Sequence, residues 1–364
     1  MSGNLVFYAG PKAMEVIGRE GLDPSMIKAV LGSAGGPKWL VLYGLDRAIF
    51  STWFKDRREP LFLLGSSIGS WRFASVCQSN SAEALDRFLA AYLAQSYSPR
   101  PDREEITREC AKIRDALLGE NGIDEILHHP FLRLVILTTR CKWPLASDNK
   151  MLLSLGLLDA VLYNALNRSA LKFLLERVLF CDSENPPPMG EASDFAIRKA
   201  PLSAENLKEA LMASGSIPLV MTGVKDIAHA PPGMYRDGGL LDYHFDLPLL
   251  QDGENGDGLI LFPHYTNHII PGWFDKRFPW RKPRKENVER MLLVCPSKEF
   301  IEKLPHGKIP DREDFPRFRG RTEERIAYWN AVIEAGGLLG REFLDTIGSG
   351  AIGRLARPLS EIVG

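Results

Sequence analysis

Two short apolar runs near the start of the chain each lead directly into a glycine-rich turn and then into a segment with helical spacing of apolar residues. The first run, residues 27–31 (IKAVL), is followed by the turn GSAGG and a helical pattern over residues 37–50. The second, residues 61–64 (LFLL), is followed by GSSIG and an amphipathic pattern over residues 70–77. Strand, glycine turn and helix in succession are typical of a parallel sheet flanked by helices. The sequence therefore predicts an α/β fold.

The remainder of the chain extends this pattern. Residues 131–139 (FLRLVILTT) form a mostly apolar run that predicts a central buried strand. The most apolar stretch, residues 151–180, carries too many polar side chains for a membrane span and predicts buried or partly buried helix. Further helices are predicted over residues 82–97, 103–118, 204–213 and 321–346, the last interrupted at Gly336-Gly337, with loops over 184–191 and 251–258 and strands over 234–236, 258–262 and 291–295.

Length and charge restrict the classes of protein to be considered. The 364 residues contain 45 Lys and Arg against 46 Asp and Glu, so no overall field attracts nucleic acid or anionic lipid. We expect a single α/β domain over residues 1–364, with a motif-bearing core at about 27–246 and a C-terminal extension at about 247–364 of unassigned role.

The cysteines and the first residues indicate the compartment. The five cysteines are spread singly, without a Cys-x-x-Cys pair or a histidine at zinc-ligand spacing, so we expect reduced thiols and no structural zinc. Residues 1–11 lack the basic start and apolar stretch of a signal peptide. These features predict a cytoplasmic protein whose membrane contact, if any, is peripheral.

Gly65-x-Ser67-x-Gly69 has the spacing of a nucleophile elbow, a sharp turn between strand and helix that lifts a serine hydroxyl above the edge of the sheet. The glycines prevent collision with the neighbouring strand or helix, and the N-terminus of the following helix stabilises negative charge near the serine. The same spacing also suits an ordinary strand-to-helix turn that needs small residues for close packing.

The first glycine turn ends in Gly35-Gly36-Pro37-Lys38. A Walker loop is disfavoured because Pro37 precedes the lysine and no hydroxyl residue follows it, and a G-x-G-x-x-G dinucleotide fingerprint is absent here. Two consecutive glycine amides before a helix form an anion nest, which beside a nucleophilic serine would act as an oxyanion hole. Lys38 either orients this loop or ends in solvent.

Asp237-Gly238-Gly239 follows a short strand pattern. Alone it predicts only a tight turn. An aspartate held on a glycine turn acts as a general base for a serine when the fold brings the two within hydrogen-bond distance.

Together these motifs resemble the patatin-like phospholipases, whose acyl hydrolases carry a glycine-rich oxyanion loop, G-x-S-x-G and D-G-G in that order. The segment Ala213-Ser214-Gly215-Ser216-Ile217-Pro218 also resembles one that the family carries shortly before its D-G-G. The resemblance covers about residues 31–243. It implies a patatin-like three-layer α/β/α fold with a mostly parallel central sheet and the nucleophile elbow after a central strand.

The resemblance also implies a Ser-Asp dyad that hydrolyses lipid esters without a metal or cofactor. Ser67 would be the nucleophile, Asp237 the base, and the amides of Gly35 and Gly36 the oxyanion donors. Lys38, Gly65, Gly69, Gly238 and Gly239 would support these loops. The chain departs from the family where Ala34 replaces a third glycine, where Trp39 follows the basic residue, and where no asparagine follows D-G-G.

Two other functions stay open from the sequence. A Ser-His-Asp esterase of the α/β-hydrolase type has the same order of residues, with the histidine supplied by His244, His264, His268 or His306. A non-catalytic lipid-binding or scaffold protein would keep the fold with a misaligned site, as the substitutions at Ala34 and Trp39 suggest.

Residues 272–285 (GWFDKRFPWRKPRK) interleave aromatic and basic side chains. Aromatic rings can enter the headgroup layer of a membrane while basic groups meet anionic lipid, so the segment predicts peripheral membrane contact. The alternative is a solvated basic loop whose aromatic side chains anchor it in the core. The contact residues would be Trp273, Phe274, Arg281, Lys282, Arg284 and Lys285. Nucleic acid is not expected as a partner, because no recognisable binding fold surrounds the segment.

Overall fold

The computed structural model describes residues 3–190, 194–250 and 258–363. The chain forms an α/β fold in which helices and connecting segments pack on a central sheet. The strands are β1 (Leu5–Ala9), β2 (Ile27–Gly32), β3 (Leu61–Ser66), β4 (Leu132–Cys141), β5 (Leu175–Cys181), β6 (Ile197–Pro201), β7 (Val224–Lys225), β8 (Met234–Asp237), β9 (Leu259–Pro263), β10 (Met291–Pro296) and β11 (Ala356–Pro358).

Helices connect most of these strands, as the sequence predicts. The α-helices are α1 (Pro11–Glu20), α2 (Tyr43–Ala48), α3 (Ile68–Val76), α4 (Ser81–Ala94), α5 (Arg103–Leu118), α6 (Gly122–Leu127), α7 (Lys150–Leu166), α8 (Leu207–Gly215), α9 (Lys285–Val288), α10 (Lys298–Lys303), α11 (Asp314–Arg317), α12 (Thr322–Gly348), α13 (Ile352–Leu355) and α14 (Ser360–Val363). Short 3₁₀ turns include Gly36–Leu42, Arg168–Phe173 and Trp273–Arg277. Within the described ranges, no helix combines the length and the hydropathy that crossing a bilayer requires.

The strand order is β11-β1-β10-β9-β2-β3-β4-β5-β6, and β8 pairs with β4 and β7. The consecutive pairs from β10 through β9, β2 and β3 to β4 are all parallel, whereas β1–β10, β4–β5 and β4–β8 are antiparallel. The predicted α/β fold with a mostly parallel sheet is confirmed. Strands β9 and β10 place part of residues 247–364 inside this sheet, next to β2.

Alternate residues of the central strands face two different apolar cores. Leu61 and Leu63 of β3 contribute to one core, together with side chains from α3, α4, α5, α8 and α12. Leu64 contributes to the other, which residues 245–250, α9 and α14 cover. This alternation follows from the twofold periodicity of a strand, and it places the sheet between two covering layers.

Three local predictions are wrong in ways that have physical causes. Helix α3 is not amphipathic, because all of its residues are buried between the sheet and neighbouring helices. Residues 175–181 form strand β5 rather than helix, since they pair antiparallel with the second half of β4. A continuous apolar run cannot distinguish these two structures by its periodicity.

Helix α12 also runs unbroken through the predicted interruption at Gly336. A Cβ atom there would lie 2.6 Å from the carbonyl oxygen of Val41, so the glycine allows α12 to approach the segment before α2. The polar turn cluster predicted over residues 251–258 lies, except for its last residue, outside the described residues.

Candidate functional site

Ser67 lies at the sharp turn between β3 and α3. Its backbone has φ 55° and ψ −126°, a conformation that costs a non-glycine residue energy and must be held by its surroundings. The flanking glycines permit the turn: a Cβ atom at Gly65 would lie 2.4 Å from the backbone of Ser70, and one at Gly69 would lie 1.8 Å from the carbonyl oxygen of Gly32. The strand-to-helix turn predicted from G-x-S-x-G is therefore present, with the steric reason for both glycines.

Strand β4 brings Asp237 to the same place. Along one edge of β4, Leu137 pairs with Ser66, the last residue of β3, and the next residue, Thr138, pairs with Asp237, the last residue of antiparallel β8. Strands β3 and β8 therefore end facing each other along the same edge of β4. This register places a residue after the end of β3 beside the final residue of β8, although 170 positions separate Ser67 from Asp237 in the sequence.

The Ser67 hydroxyl donates a hydrogen bond of 2.8 Å to Asp237 Oδ2. Asp237 Oδ1 accepts a second hydrogen bond, 2.7 Å long, from the Gly239 amide. Ser67 is 3% exposed and Asp237 6% exposed. Burial raises the pKa of Asp237 above its usual value, while the Arg312 charge and the two hydrogen bonds oppose this increase. A carboxylate with a raised pKa is a stronger base, which is the property that proton abstraction from a serine needs.

The predicted oxyanion loop lies beside this pair. Within the described ranges, the amides of Gly35 and Gly36 have no hydrogen-bond partner, so both remain available as donors. Gly36 has φ +57°, in the region that favours glycine. Ala34, which stands where the family has a glycine, fits between two contacts: its amide donates to the Tyr243 carbonyl and its carbonyl accepts from the Tyr265 hydroxyl.

A buried relay fixes that loop from behind. The Tyr265 hydroxyl donates to the Ala34 carbonyl at 2.7 Å, and His244 Nε2 lies 2.7 Å from the same hydroxyl oxygen. His244 Nδ1 lies 2.9 Å from the His268 carbonyl oxygen and 3.1 Å from the Ile270 amide nitrogen. Burial lowers the pKa of His244 well below its usual value, which favours the neutral ring.

The other predicted supporting residues are also located. Gly238 and Gly239 are buried after β8, and Lys38 is half-buried with its ammonium group 4.9 Å from the centre of the Tyr265 ring. Trp39, the second departure from the family pattern, is buried and stacks on Phe88. Its side chain thus points into the helical layer and leaves the loop backbone free.

Ser214 is a site residue whose role the sequence did not indicate. Its hydroxyl accepts from the Ser67 amide at 2.9 Å and donates to the Leu137 carbonyl at 2.7 Å. It therefore connects the strained turn to β4, the strand with which Asp237 of β8 pairs. Its position in the Ala213 to Pro218 segment, which resembles a family motif, was the available signal.

An apolar cavity of about 310 Å³ opens beside Ser67. Its walls come from the start of α3, from α4 and α5, and from the segment after α8. Side chains that line it include Ile68, Trp71, Tyr92, Ile106, Ile113 and Met221. Helix α7 is not among its lining elements.

Of the four histidines of the Ser-His-Asp alternative, two are buried with other partners in the described part of the chain and two are exposed. His244 belongs to the relay above, and His264 Nδ1 lies within hydrogen-bond distance of backbone atoms of Thr266. His268 and His306 are exposed. Burial lowers the pKa of His264 to about 3. None of the four hydrogen-bonds to Ser67, whose hydroxyl is bound directly by Asp237.

The six residues predicted to contact a membrane are placed differently from one another. Phe274 is buried, Arg281 donates to the Asn164 carbonyl, and Arg284 pairs with Asp194, so these three are engaged within the protein. The buried position of Phe274 corrects its expected place at a membrane surface, because the aromatic ring anchors the segment in the core. The exposed members are Trp273, Lys282 and Lys285.

Comparisons with known proteins identify distant structural neighbours only. No protein-family model and no curated protein sequence matches the chain. VipD from Legionella pneumophila aligns with 65% of this chain at 12% identity and a TM-score of 0.31, and human GIVD cytosolic phospholipase A2 aligns with 94% at 11% identity and a TM-score of 0.32. The chain covers 50% of VipD and 66% of the human enzyme. Likenesses this weak do not establish a family.

Proposed function

We propose that this protein is a serine acyl hydrolase that cleaves lipid-type carboxylic esters with Ser67 and Asp237. The observation that carries the proposal is the 2.8 Å hydrogen bond from a serine on a strained strand-to-helix turn to a buried aspartate. The adjacent Gly35 and Gly36 amides supply donors for the oxyanion. Nucleophile, base and oxyanion donors are the three elements that acyl transfer needs.

In the first half-reaction, Asp237 removes the Ser67 hydroxyl proton as Ser67 Oγ attacks the ester carbonyl carbon. The negative oxygen of the tetrahedral intermediate accepts hydrogen bonds from Gly35 and Gly36. The carbon–oxygen bond to the leaving alcohol then breaks, and the alcohol departs with the proton from Asp237. The acyl group remains on Ser67.

In the second half-reaction, Asp237 removes a proton from a water molecule that attacks the acyl carbon. The intermediate collapses with cleavage of the bond to Ser67 Oγ, which takes the proton back from Asp237. The products are the free carboxylic acid and the original hydroxyl. The direct contact between Ser67 and Asp237 makes a histidine unnecessary for either proton transfer.

The apolar cavity supports an acyl chain as the part of the substrate next to the reacting carbonyl. Its lining side chains come from several separate segments that converge on Ser67. Enclosing a chain there removes apolar surface from water, at about 0.8 kcal/mol for each buried methylene group. The proposed substrates are therefore esters of hydrocarbon-chain acids.

Peripheral contact with an anionic membrane is part of the proposal, and the exposed face of α7 supports it. Five large apolar side chains of this helix are more than half exposed, and four more on adjoining segments are at least 40% exposed. The helix residues are Met151, Leu155, Leu158, Leu162 and Leu166, and the adjoining ones are Trp143, Phe173, Trp273 and Trp280. Asn164 and Arg168 at the end of α7 bond to Asp275, which joins the helix to the loop that carries the two last tryptophans.

Basic side chains surround this apolar face. Lys142, Lys150, Lys172, Arg277 and Lys282 are exposed near it. A second copy of the chain docking symmetrically would bring these like charges together, whereas an anionic lipid surface would neutralise them. Apolar residues ringed by Lys, Arg and Trp are typical of proteins that lie on a membrane surface.

Vesicle sedimentation tests the membrane contact. Full-length protein should pellet with vesicles that contain anionic lipid, and the triple variant Leu155→Ser, Leu158→Ser, Leu162→Ser should not. Charge reversal at Lys282 and Lys285 should weaken pelleting. Pelleting that is equal in all variants would refute this part of the proposal, and a stable dimer in light scattering would assign the face to a second copy instead.

A fluorophosphonate probe tests the chemistry. Wild-type protein should be labelled and should hydrolyse long-chain esters, Ser67→Ala should lose both properties, and Ser154→Ala, which removes an exposed serine of α7, should keep both. Loss of labelling in folded Ser67→Ala assigns the nucleophile. A folded wild-type protein that is not labelled, with or without lipid vesicles, would refute the hydrolase and favour the scaffold alternative.

A further inference from the structure

Three basic side chains near the glycine loop have no carboxylate partner. They are Lys38, which follows the loop, Lys276 in the turn Trp273–Arg277, and Arg312 just before α11. Lys38 is half-buried and Lys276 and Arg312 reach solvent, and in the described ranges none of the three forms an ion pair with a carboxylate.

The three groups lie along one connected set of contacts. The Lys276 ammonium is 3.8 Å from the centre of the Tyr243 ring, and that of Lys38 is 4.9 Å from the centre of the Tyr265 ring. Both rings lie against His244, with ring centres 4.4 and 5.5 Å from it. The Lys38 and Lys276 side chains therefore cover adjacent rings of the same buried aromatic cluster.

Arg312 extends this set to the proposed site of reaction. A Cβ atom added to Gly36 would lie 2.9 Å from Arg312 Nε, so the arginine side chain passes directly over the oxyanion loop. Arg312 also lines the cavity that contains Ser67. Arg312 therefore lies beside both the oxyanion loop and the apolar cavity.

The electrostatics show that these charges affect one another. Burial is the largest cause that lowers the pKa of Lys276, and Lys38 and Arg312 lower it further, while Tyr243 raises it. Arg312 and Lys276 both lower the pKa of Asp237 against the effect of burial. Because the three cations repel one another, an additional anion bound between them would be electrostatically favourable.

We propose that Lys38, Lys276 and Arg312 form a binding site for an anionic group, a phosphate or a carboxylate, carried by the leaving-group side of the ester substrate. This inference rests on the proposed hydrolase. The cleft would then take an amphiphile: the hydrocarbon chain enters the apolar cavity, the carbonyl lies at Ser67, and the anion meets the three cations. Arginine suits such a group because its fork binds two oxygens at once, and the lysines act as point charges.

A matched pair of soluble substrates tests the site. The pair is a short-chain monoacylglycerol and the same compound carrying a 3-phosphate, both below their micelle concentrations. Wild-type protein should prefer the phosphate ester in kcat/KM, mainly through a lower KM. Lys276→Gln and Arg312→Gln should each reduce this preference about tenfold or more, as expected for loss of a charge-assisted contact. Lys303→Gln and Arg319→Gln, at exposed residues that do not line the cavity, should not change the preference.

Binding of inorganic phosphate gives a measurement that does not depend on turnover. Phosphate should raise the melting temperature of wild-type protein above that in chloride of equal ionic strength, and less so for Lys276→Gln and Arg312→Gln. Stabilisation by phosphate without a preference for the phosphate ester would mean a site for free anions and would overturn the substrate assignment.

The remaining outcomes separate the two proposals. Hydrolysis of both esters with equal kcat/KM, unchanged in the variants, and no stabilisation by phosphate would overturn the anion site but leave the hydrolase intact. Absence of hydrolysis and of probe labelling in folded protein would overturn the hydrolase. In that case phosphate-dependent stabilisation alone decides whether the three cations bind an anion.

Discussion

The turn at Ser67 and the helix α7 represent opposite extremes of burial in this protein. Ser67, Asp237 and all residues of α3 are buried, the flanking glycines are in contact with neighbouring backbone, and each polar group of the Ser67–Asp237 pair has a partner. Helix α7 buries only Leu153, Gly156, Ala160 and Asn164 and exposes most of its large apolar side chains.

This difference in burial indicates which contacts each region depends on. The turn is determined by contacts within the chain, so small changes there should alter both stability and chemistry. The outer face of α7 has few internal contacts to lose, so its side chains should matter for what the protein touches rather than for whether it folds. Variants at the turn should therefore change stability and activity, whereas variants on the outer face of α7 should change neither.

The largest expected effect is on turnover. Asp237→Asn should lower kcat for a soluble ester by about 10²–10⁴-fold, because the amide cannot accept the Ser67 proton. The melting temperature should stay equal or rise, because the wild-type protein must keep an ionised carboxylate away from water. Asp159→Asn on the exposed face of α7 is the control and should change neither quantity. A variant that unfolds, or one that retains turnover, would contradict the assigned role.

Within α7, a buried and an exposed leucine lie only two residues apart. Leu153→Ala should lower the free energy of unfolding by about 2–5 kcal/mol, because the side chain is completely buried. Leu155→Ala, at 51% exposure, should stay within about 0.5 kcal/mol of wild type. Denaturant unfolding measures both. Equal losses at the two positions would mean that α7 is covered by protein in solution.

Gly69→Ala tests the steric account of the turn. Its added methyl would overlap the Gly32 carbonyl and should lower the free energy of unfolding by about 1–3 kcal/mol, with loss of probe labelling as the turn shifts. Gly18→Ala in α1 has open space around it and should stabilise the protein by about 0.5–1 kcal/mol. Tolerance of alanine at residue 69 would show that the two segments can separate without consequence.

The sequence predicted the region around the turn well and the outer surface poorly. Gly65, Ser67, Gly69 and the strand before them are adjacent in the chain, so local steric requirements leave a local pattern. The pairing of Asp237 with Ser67 could only be inferred from a resemblance, because it depends on two strands ending beside a third.

The errors have the same origin. Residues 151–181 are rich in apolar side chains, and this composition is equally compatible with a core helix, a buried strand and an exposed apolar face. The structure contains the last two, in β5 and α7. The relay through Tyr265 and His244, and the approach of Arg312 to Gly36, join residues that no local spacing connects.

Ser214→Ala should lower both stability and turnover moderately. It leaves the buried Ser67 amide without its acceptor, which should lower the free energy of unfolding by about 1–2 kcal/mol and also lower kcat. Ser216→Ala removes a bond within the α8 terminus only, to the Met212 carbonyl, and should leave kcat unchanged. If the two variants lose the same stability and activity, the connection from Ser214 to the turn has no special role.

The smallest expected effect is a displacement of the pH profile. Asp237 acts as a base only when ionised, and burial raises its pKa, so kcat/KM for a neutral soluble ester should rise with pH through a midpoint above 3.8, the usual value of an aspartate. Because the Arg312 charge lowers that pKa, Arg312→Gln should move the midpoint to still higher pH, and the exposed control Lys282→Gln should not. A midpoint at or below 3.8 would mean that the base is better solvated than the structure indicates. A shift to lower pH in Arg312→Gln would show that the arginine does not lower the pKa of Asp237. The cations of the cleft would then act independently of the buried Ser67–Asp237 pair.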